Sequence, residues 1–200
     1  MLPIDERSLV ELIRLRTPLG LYNRSELILR PGQSAVPFAT RVTGSDRSMR
    51  AQVQLSGRLS DHLGVLLASG SAIGGYTLFI QGNRLHFEHL CLGQRVVCAA
   101  AVDAPQGDVE VGFRLTRGQE REARVELLHG EEVVADAAIA HTSGHLSFFG
   151  LSVCSDAVSQ VSPLYQGSFD YPKDGVKAIR ITFLDAASAN LSATILQTTE

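Results

Sequence analysis

Short stretches in which every second residue is apolar recur along this chain, and few folds accept them. Met49, Ala51, Val53 and Leu55 alternate with Arg50, Gln52 and Gln54. Val109, Val111, Phe113 and Leu115 alternate with Asp108, Glu110, Gly112 and Arg114, and Ala123, Val125 and Leu127 repeat the pattern. Ile179, Ile181 and Phe183 share one face and alternate with Ala178, Arg180 and Thr182. A period of two puts each apolar set on one side of an extended strand, which must then be covered by a second apolar layer.

Turn signals separate further segments. Gly82-Asn83 stands between 76–80 and 84–89, and His129-Gly130 stands between 123–127 and 132–135. Both read as β-hairpins, because Gly and Asn supply the positive φ that tight hairpin turns need. The run 63–69 is short and apolar, and Leu191, Ala193 and Ile195 suggest a last strand. The longest irregular stretch is 150–175. With about ten short strands, no βαβ alternation and no glycine-rich phosphate loop, the chain is predicted to be an all-β sandwich or barrel. One helix is expected, over 5–16. Leu9, Leu12 and Ile13 fall at helical spacing, Asp5 and Glu6 sit in the first turn, and Thr17-Pro18-Leu19-Gly20 ends it. The expected division is an N-terminal helix and linker over 1–24 and a β-sandwich domain over 25–200.

Two hundred residues suit one domain with a full core. A net charge of −3 and scattered arginines exclude the basic face that nucleic acid or an anionic membrane selects. No apolar run reaches the roughly 20 residues that span a bilayer. The N-terminus is charged and has no signal-like apolar core. Cys91, Cys98 and Cys154 are odd in number and form no CxxC, so buried free thiols in a reducing compartment are expected. The expected localisation is therefore the cytoplasm.

Candidate chemistry is thin. His86 and His89 lie three apart on one strand, hence on opposite faces, and do not share a metal. His141 and His145 flank the turn Thr142-Ser143-Gly144 with no third ligand nearby, and zinc needs three or four. No serine lies in a nucleophile motif. Glu131-Glu132 sit in a hairpin turn and are expected to be solvated. Asp156 and Asp170, in the irregular stretch, suit Ca²⁺ at a sandwich rim or, more simply, turn capping. Tyr165 and Tyr171 are the loop aromatics available to a sugar in a chain with no Trp. No catalytic, cofactor-binding or metal residue is assigned.

A series of segments, in order, resembles one family. They are LLASG (66–70), GGYTLFI (74–80), GNRLHF (82–87) and Leu92-Gly93, preceded by Arg30-Pro31-Gly32, Arg47-Ser48 and Ala51-Gln52-Val53. LLHGEEV (127–133), GLSVCSD (150–156), VSPLY (161–165) and GVKAIRI (175–181) follow. Together they resemble the C-terminal domain of large bacterial arylsulfatases, with Tyr76 where Trp is usual and Cys91 where an aromatic or Asn is usual. The resemblance implies a concanavalin/laminin-G-like jelly-roll β-sandwich, with one short N-terminal helix. It implies a non-catalytic accessory domain of a sulfatase (a sulfuric ester hydrolase), packing on a catalytic domain absent from this chain, with a homo-oligomer contact as a further role open to it. Formylglycine and Ca²⁺ would belong to that absent domain, and no cofactor to this one.

A fragment of the chain mimics the sulfatase motif itself. Cys91-Leu92-Gly93-Gln94-Arg95 would be CxPxR if Gly93 were proline. The proline is missing, so Cys91 is expected to pack as a small apolar residue, Gly93 to turn the chain and Arg95 to begin the next strand. The alternative to the accessory domain is a free-standing carbohydrate-binding, lectin-like module.

Overall fold

Among the described residues, alternation and turn chemistry resolve into eleven strands in two antiparallel sheets. The structure, a computed structural model, describes residues 25–31, 47–57, 62–101, 107–143, 150–157 and 159–184. The expected helix at 5–16, the 1–24 linker, the strand at 191–196 and His145 lie outside the described residues.

The strands are β1 (Glu26–Leu29), β2 (Met49–Leu55), β3 (Gly64–Ser71), β4 (Gly74–Gln81), β5 (Arg84–Cys91) and β6 (Gln94–Ala101). They continue as β7 (Val109–Arg117), β8 (Ala123–His129), β9 (Glu132–Ile139), β10 (Leu151–Val153) and β11 (Val176–Phe183). One sheet runs β1-β11-β2-β7-β8-β9 and the other β10-β3-β4-β5-β6. The apolar sets read from the sequence meet between them. Met49, Ala51, Val53 and Leu55 come from one side, Leu78, Ile80, Leu85 and Phe87 from the other, all fully buried. Phe87 and Phe113 touch across the gap at 4.8 Å between ring centroids. Each such ring contributes about 2 kcal/mol by burial.

The hairpins form where their turn residues stand. Gly82 and Asn83 both have φ near +59°, and Gln81 pairs with Arg84 across them. Leu92 (φ +48°) and Gly93 (φ +84°) make the same kind of turn between β5 and β6. A different device joins β3 to β4. Gly70 and Gly75 face each other across the ladder. A Cβ on Gly75 would stand 2.2 Å from Ser69 O, and one on Gly70 would stand 2.4 Å from Gly74 O. Only glycine admits that approach.

Every residue of β3 is buried. Its inner face packs in the sandwich. Its outer face is covered by the segment from Cys154 to Tyr171, which crosses the five-stranded sheet and builds a second small core from Val65, Ala68, Phe79 and Tyr165, with Phe169 against it. Backbone bonds fasten the cover: Val65 N–H to Phe169 O (2.8 Å), Asp156 N–H to Ser168 O (2.7 Å) and Tyr171 N–H to Cys154 O (3.0 Å). This explains why 63–69 reads as a continuous apolar run rather than an alternation. It also corrects the irregular reading of 150–175, since β10 lies inside it and the rest is a covering layer.

The outer face of the six-stranded sheet is wet and charged. Arg180–Glu26, Arg50–Glu131, Arg114–Glu126 and Arg124–Asp136 pair at 2.6–2.7 Å across neighbouring elements. Exposed pairs of this kind contribute well under about 1 kcal/mol each, and their main effect is on register. Glu131 is solvated, as its hairpin position predicts, but it also accepts two hydrogen bonds from Arg50. No described helix is long and apolar enough to cross a membrane.

Candidate functional site

The sulfatase-like fragment falls apart in three dimensions. Cys91 faces inward at the end of β5. It is buried, and its thiol donates to Thr142 O at 3.8 Å. Burial pushes the thiol up, away from the reactive thiolate, against a smaller opposing pull from the Arg121 charge. Arg95 faces outward on β6, where its Nε donates to Glu88 Oε1 at 2.6 Å. The two ends of the motif are therefore on opposite faces of the sheet.

His86 and His89 are likewise divided between the two faces. The His86 ring stacks on Phe79 on the outer face, 4.8 Å between centroids, and its Nε2 lies 3.2 Å from Gln81 O. His89 is buried on the inner face, where its Nε2 accepts from Ser143 N–H at 3.2 Å. Burial pushes the His89 imidazole down to about 4. The unfolded chain therefore binds more protons than the folded one between the ordinary 6.5 and about 4, and stability falls as the pH drops through that window. His89→Gln keeps an acceptor for Ser143 and cannot protonate. Urea midpoints measured from pH 7 to pH 4 should fall less steeply in that variant, and parallel curves would refute the assignment.

Under the covering segment lies a buried polar network. Glu88 is fully buried, and accepts from Arg95 and from the Ser162 hydroxyl. Asp156 Oδ2 accepts from Val161 N–H and from the Tyr165 hydroxyl, both at 2.6 Å. That hydroxyl also sits 3.1 Å from Thr77 Oγ1. Burial raises the Asp156 carboxyl above its ordinary value, and the two hydrogen bonds oppose that. Asp156 is thus a cap within the cover. Asp170 serves the cover through its backbone, bridging Val65. Among the described residues no three His, Cys, Asp or Glu side chains converge on a metal position. Tyr165 and Tyr171 are 4% and 2% exposed, so neither presents a ring face to a sugar. Tyr165 is spent on Phe79 and Phe169, and Tyr171 on the His62 ring.

Among the described residues, one opening lies at one end of the sandwich. There the β5–β6 turn, the β7–β8 connection and the residues after β9 surround a cleft of about 660 Å³. Cys91, Leu92 and Gln94 line one side. Glu120, Arg121 and Glu122 line another, with Ala140 and His141 between. The β7–β8 turn is held by Gly118 N–H to Glu122 O at 2.8 Å and Glu122 N–H to Gln119 O at 2.9 Å, with Glu120 at φ +51°. Arg121 is anchored through its own carbonyl, which accepts from Thr142 N–H at 2.8 Å. Its exposed guanidinium makes no ion pair with any described residue, although two glutamates flank it in sequence. Of the residues singled out in the sequence, Cys91 and His141 meet here. Arg121 gave no signal, because a charged turn between two strands reads as ordinary solvated surface.

No family model matches this chain, and no curated protein matches it. Solved structures do. The carbohydrate-binding module CBM40 of the Ruminococcus gnavus IT-sialidase, bound to α2,6-sialyllactose, superposes with a TM-score of 0.53 at 10% identity, over 86% of this chain and 96% of that one. The same module bound to α2,3-sialyllactose gives 0.52 at 9% identity, and without ligand 0.51 at 9%, with the same coverage. The chain has the jelly-roll β-sandwich fold of these modules. None of these similarities involves a sulfatase.

Proposed function

We propose that this chain is a non-catalytic binding module whose end cleft holds an anionic group carried on a sugar. The exposed guanidinium of Arg121, which lines the cleft and makes no ion pair among the described residues, carries the reading. A planar, permanently charged donor set suits a carboxylate or a sulfate in two-point contact. Gln94, Glu120, Glu122 and His141 around it offer donors and acceptors to hydroxyls. The fold supports the same reading, because the neighbouring modules bind sialylated lactose. Cys91 is not set up as a nucleophile: it is buried, its thiol is raised, and Arg95 is on the other side of the sheet.

Calorimetric titration with sialyllactose, sulfated lactose and neutral lactose tests it. The acidic sugars should bind and the neutral one should bind at least about tenfold more weakly, since a hydrogen bond to a charged group contributes about 1.5–3 kcal/mol. Preference between the first two identifies the anion. Arg121→Ala should reduce the acidic sugars to the neutral level. Equal affinity for all three, or binding of none, would overturn the proposal.

The accessory-domain reading is supported by the ordered matches from about Arg30 to about Leu184. Many of them fall where the fold itself dictates the residue: Gly70 and Gly75 at their close approach, Gly82-Asn83 and Leu92-Gly93 in turns, Leu66, Leu78, Ile80 and Phe87 in the core. They therefore speak more for the sandwich than for a sulfatase partner. If a sulfatase catalytic domain accompanies this chain, the coding sequence upstream carries CxPxR, and its absence there would end this reading.

A further inference from the structure

We infer that Leu92, braced by Ile73, is the apolar wall of the end cleft, on which the C–H face of the bound sugar ring rests. The inference builds on the reading of that cleft as a glycan site. Leu92 is in the wrong place for a leucine on two counts. Its φ of +48° is a left-handed conformation that strains a Cβ-bearing, γ-branched residue and that Asn or Gly adopts easily. The same chain puts Gly82-Asn83 in the equivalent turn one hairpin earlier. Leu92 is also 69% exposed, so most of its surface stays in water in the free protein. Neither local conformation nor core packing accounts for it.

The position is nevertheless held firmly. Leu92 N–H donates to Ile73 O at 2.9 Å, tying the β5–β6 turn to the β3–β4 turn. Ile73 is itself 57% exposed. Two exposed large aliphatic residues are thus joined by their backbones at the tips of neighbouring hairpins, and Leu92 lines the cleft that Arg121 lines. Among the described residues five non-glycine residues have positive φ, and two of them, Leu92 and Glu120, line this one cleft from different turns. Strain gathered around a cavity is the pattern of a surface shaped for a ligand. The chemistry is complementary as well. A pyranose has an apolar C–H face and a polar edge, and with no Trp in the chain and no Phe or Tyr lining the cleft, the aliphatic lip at Leu92 is suited to meet that face.

The test pairs stability with affinity. Leu92→Asn removes the apolar wall and relieves the backbone. Its urea midpoint should equal or exceed that of the parent chain, while its affinity for the acidic sugar that the parent binds best falls at least about fivefold. A residue with only a structural role would not separate the two readouts in that direction. Leu92→Asn binding with undiminished affinity, while Arg121→Ala loses binding, overturns this inference and leaves the cleft reading intact. If the parent chain binds none of the acidic sugars, the cleft reading fails first and this inference falls with it.

Discussion

Gly75→Ala is expected to lose the folded state. The added methyl would stand 2.2 Å from Ser69 O and 2.6 Å from Gly70 Cα, both backbone atoms of the paired strand. A side chain in the way can rotate, but a backbone carbonyl in a ladder can move only with its strand. That strand is β3, buried along its whole length between the sandwich core and the covering segment. The φ of +156° at Gly75 adds strain that no L-residue escapes. The cost should be at least about 4 kcal/mol, a large part of the stability of a domain this size. Circular dichroism and urea denaturation would show an unfolded or grossly destabilised chain. Gly82→Ala is the control. Nothing lies within 4 Å of a Cβ there, and only φ +59° opposes it, so about 1–2 kcal/mol is expected. A Gly75→Ala protein with the parent's midpoint would mean that the β3–β4 approach is looser than described.

Arg95→Ala should be nearly as costly, for an electrostatic reason. Glu88 has no access to water, and Arg95, about a third exposed, is the cation that reaches it. Removing the arginine leaves a buried carboxylate with the Ser162 hydroxyl as its remaining partner. Breaking a buried pair from one side costs about 3–5 kcal/mol, much more than the intact pair contributes. The mechanism makes one further demand. Glu88→Gln in the Arg95→Ala background should recover most of the loss, because the amide still accepts from Ser162 and carries no charge. Urea midpoints of the single and the double variant measure this. Equal destabilisation with and without Glu88→Gln would rule it out.

The half-buried strands were legible in the sequence because alternation records burial on one side. β2, β7, β8 and β11 fall where Met49–Leu55, Val109–Leu115, Ala123–Leu127 and Ile179–Phe183 put them. The hairpins were legible because Gly82-Asn83 and His129-Gly130 announce a φ requirement. β1 and β10 are four and three residues long, too short to show a period. The buried network was hidden for a different reason. Thr77 and Glu88 point away from the sandwich core, and by alternation alone they belong in solvent. What buries them is a segment about seventy residues later in the chain, brought over the sheet by tertiary structure. The cleft was hidden in the same way, since Leu92 and Arg121 are neighbours only through the fold. The order of the family-like segments correctly indicated a jelly roll. It said little about chemistry, because the matching residues are those that the turns and the core require.

The covering segment withdraws part of this protein's surface from use. The outer faces of β3 and β4 are occupied by the chain itself, so an outside molecule can lie along them only by displacing Tyr165, Phe169 and the bonds that hold them. Encounters are left to the charged sheet, to the outer face of β6, where Val97 is exposed, and to the hairpin tips. The tips carry few core contacts, so their side chains can be exchanged without reshaping the layers beneath. Ligand preference and structural integrity are thereby written in different residues, and one can drift while the other stands still.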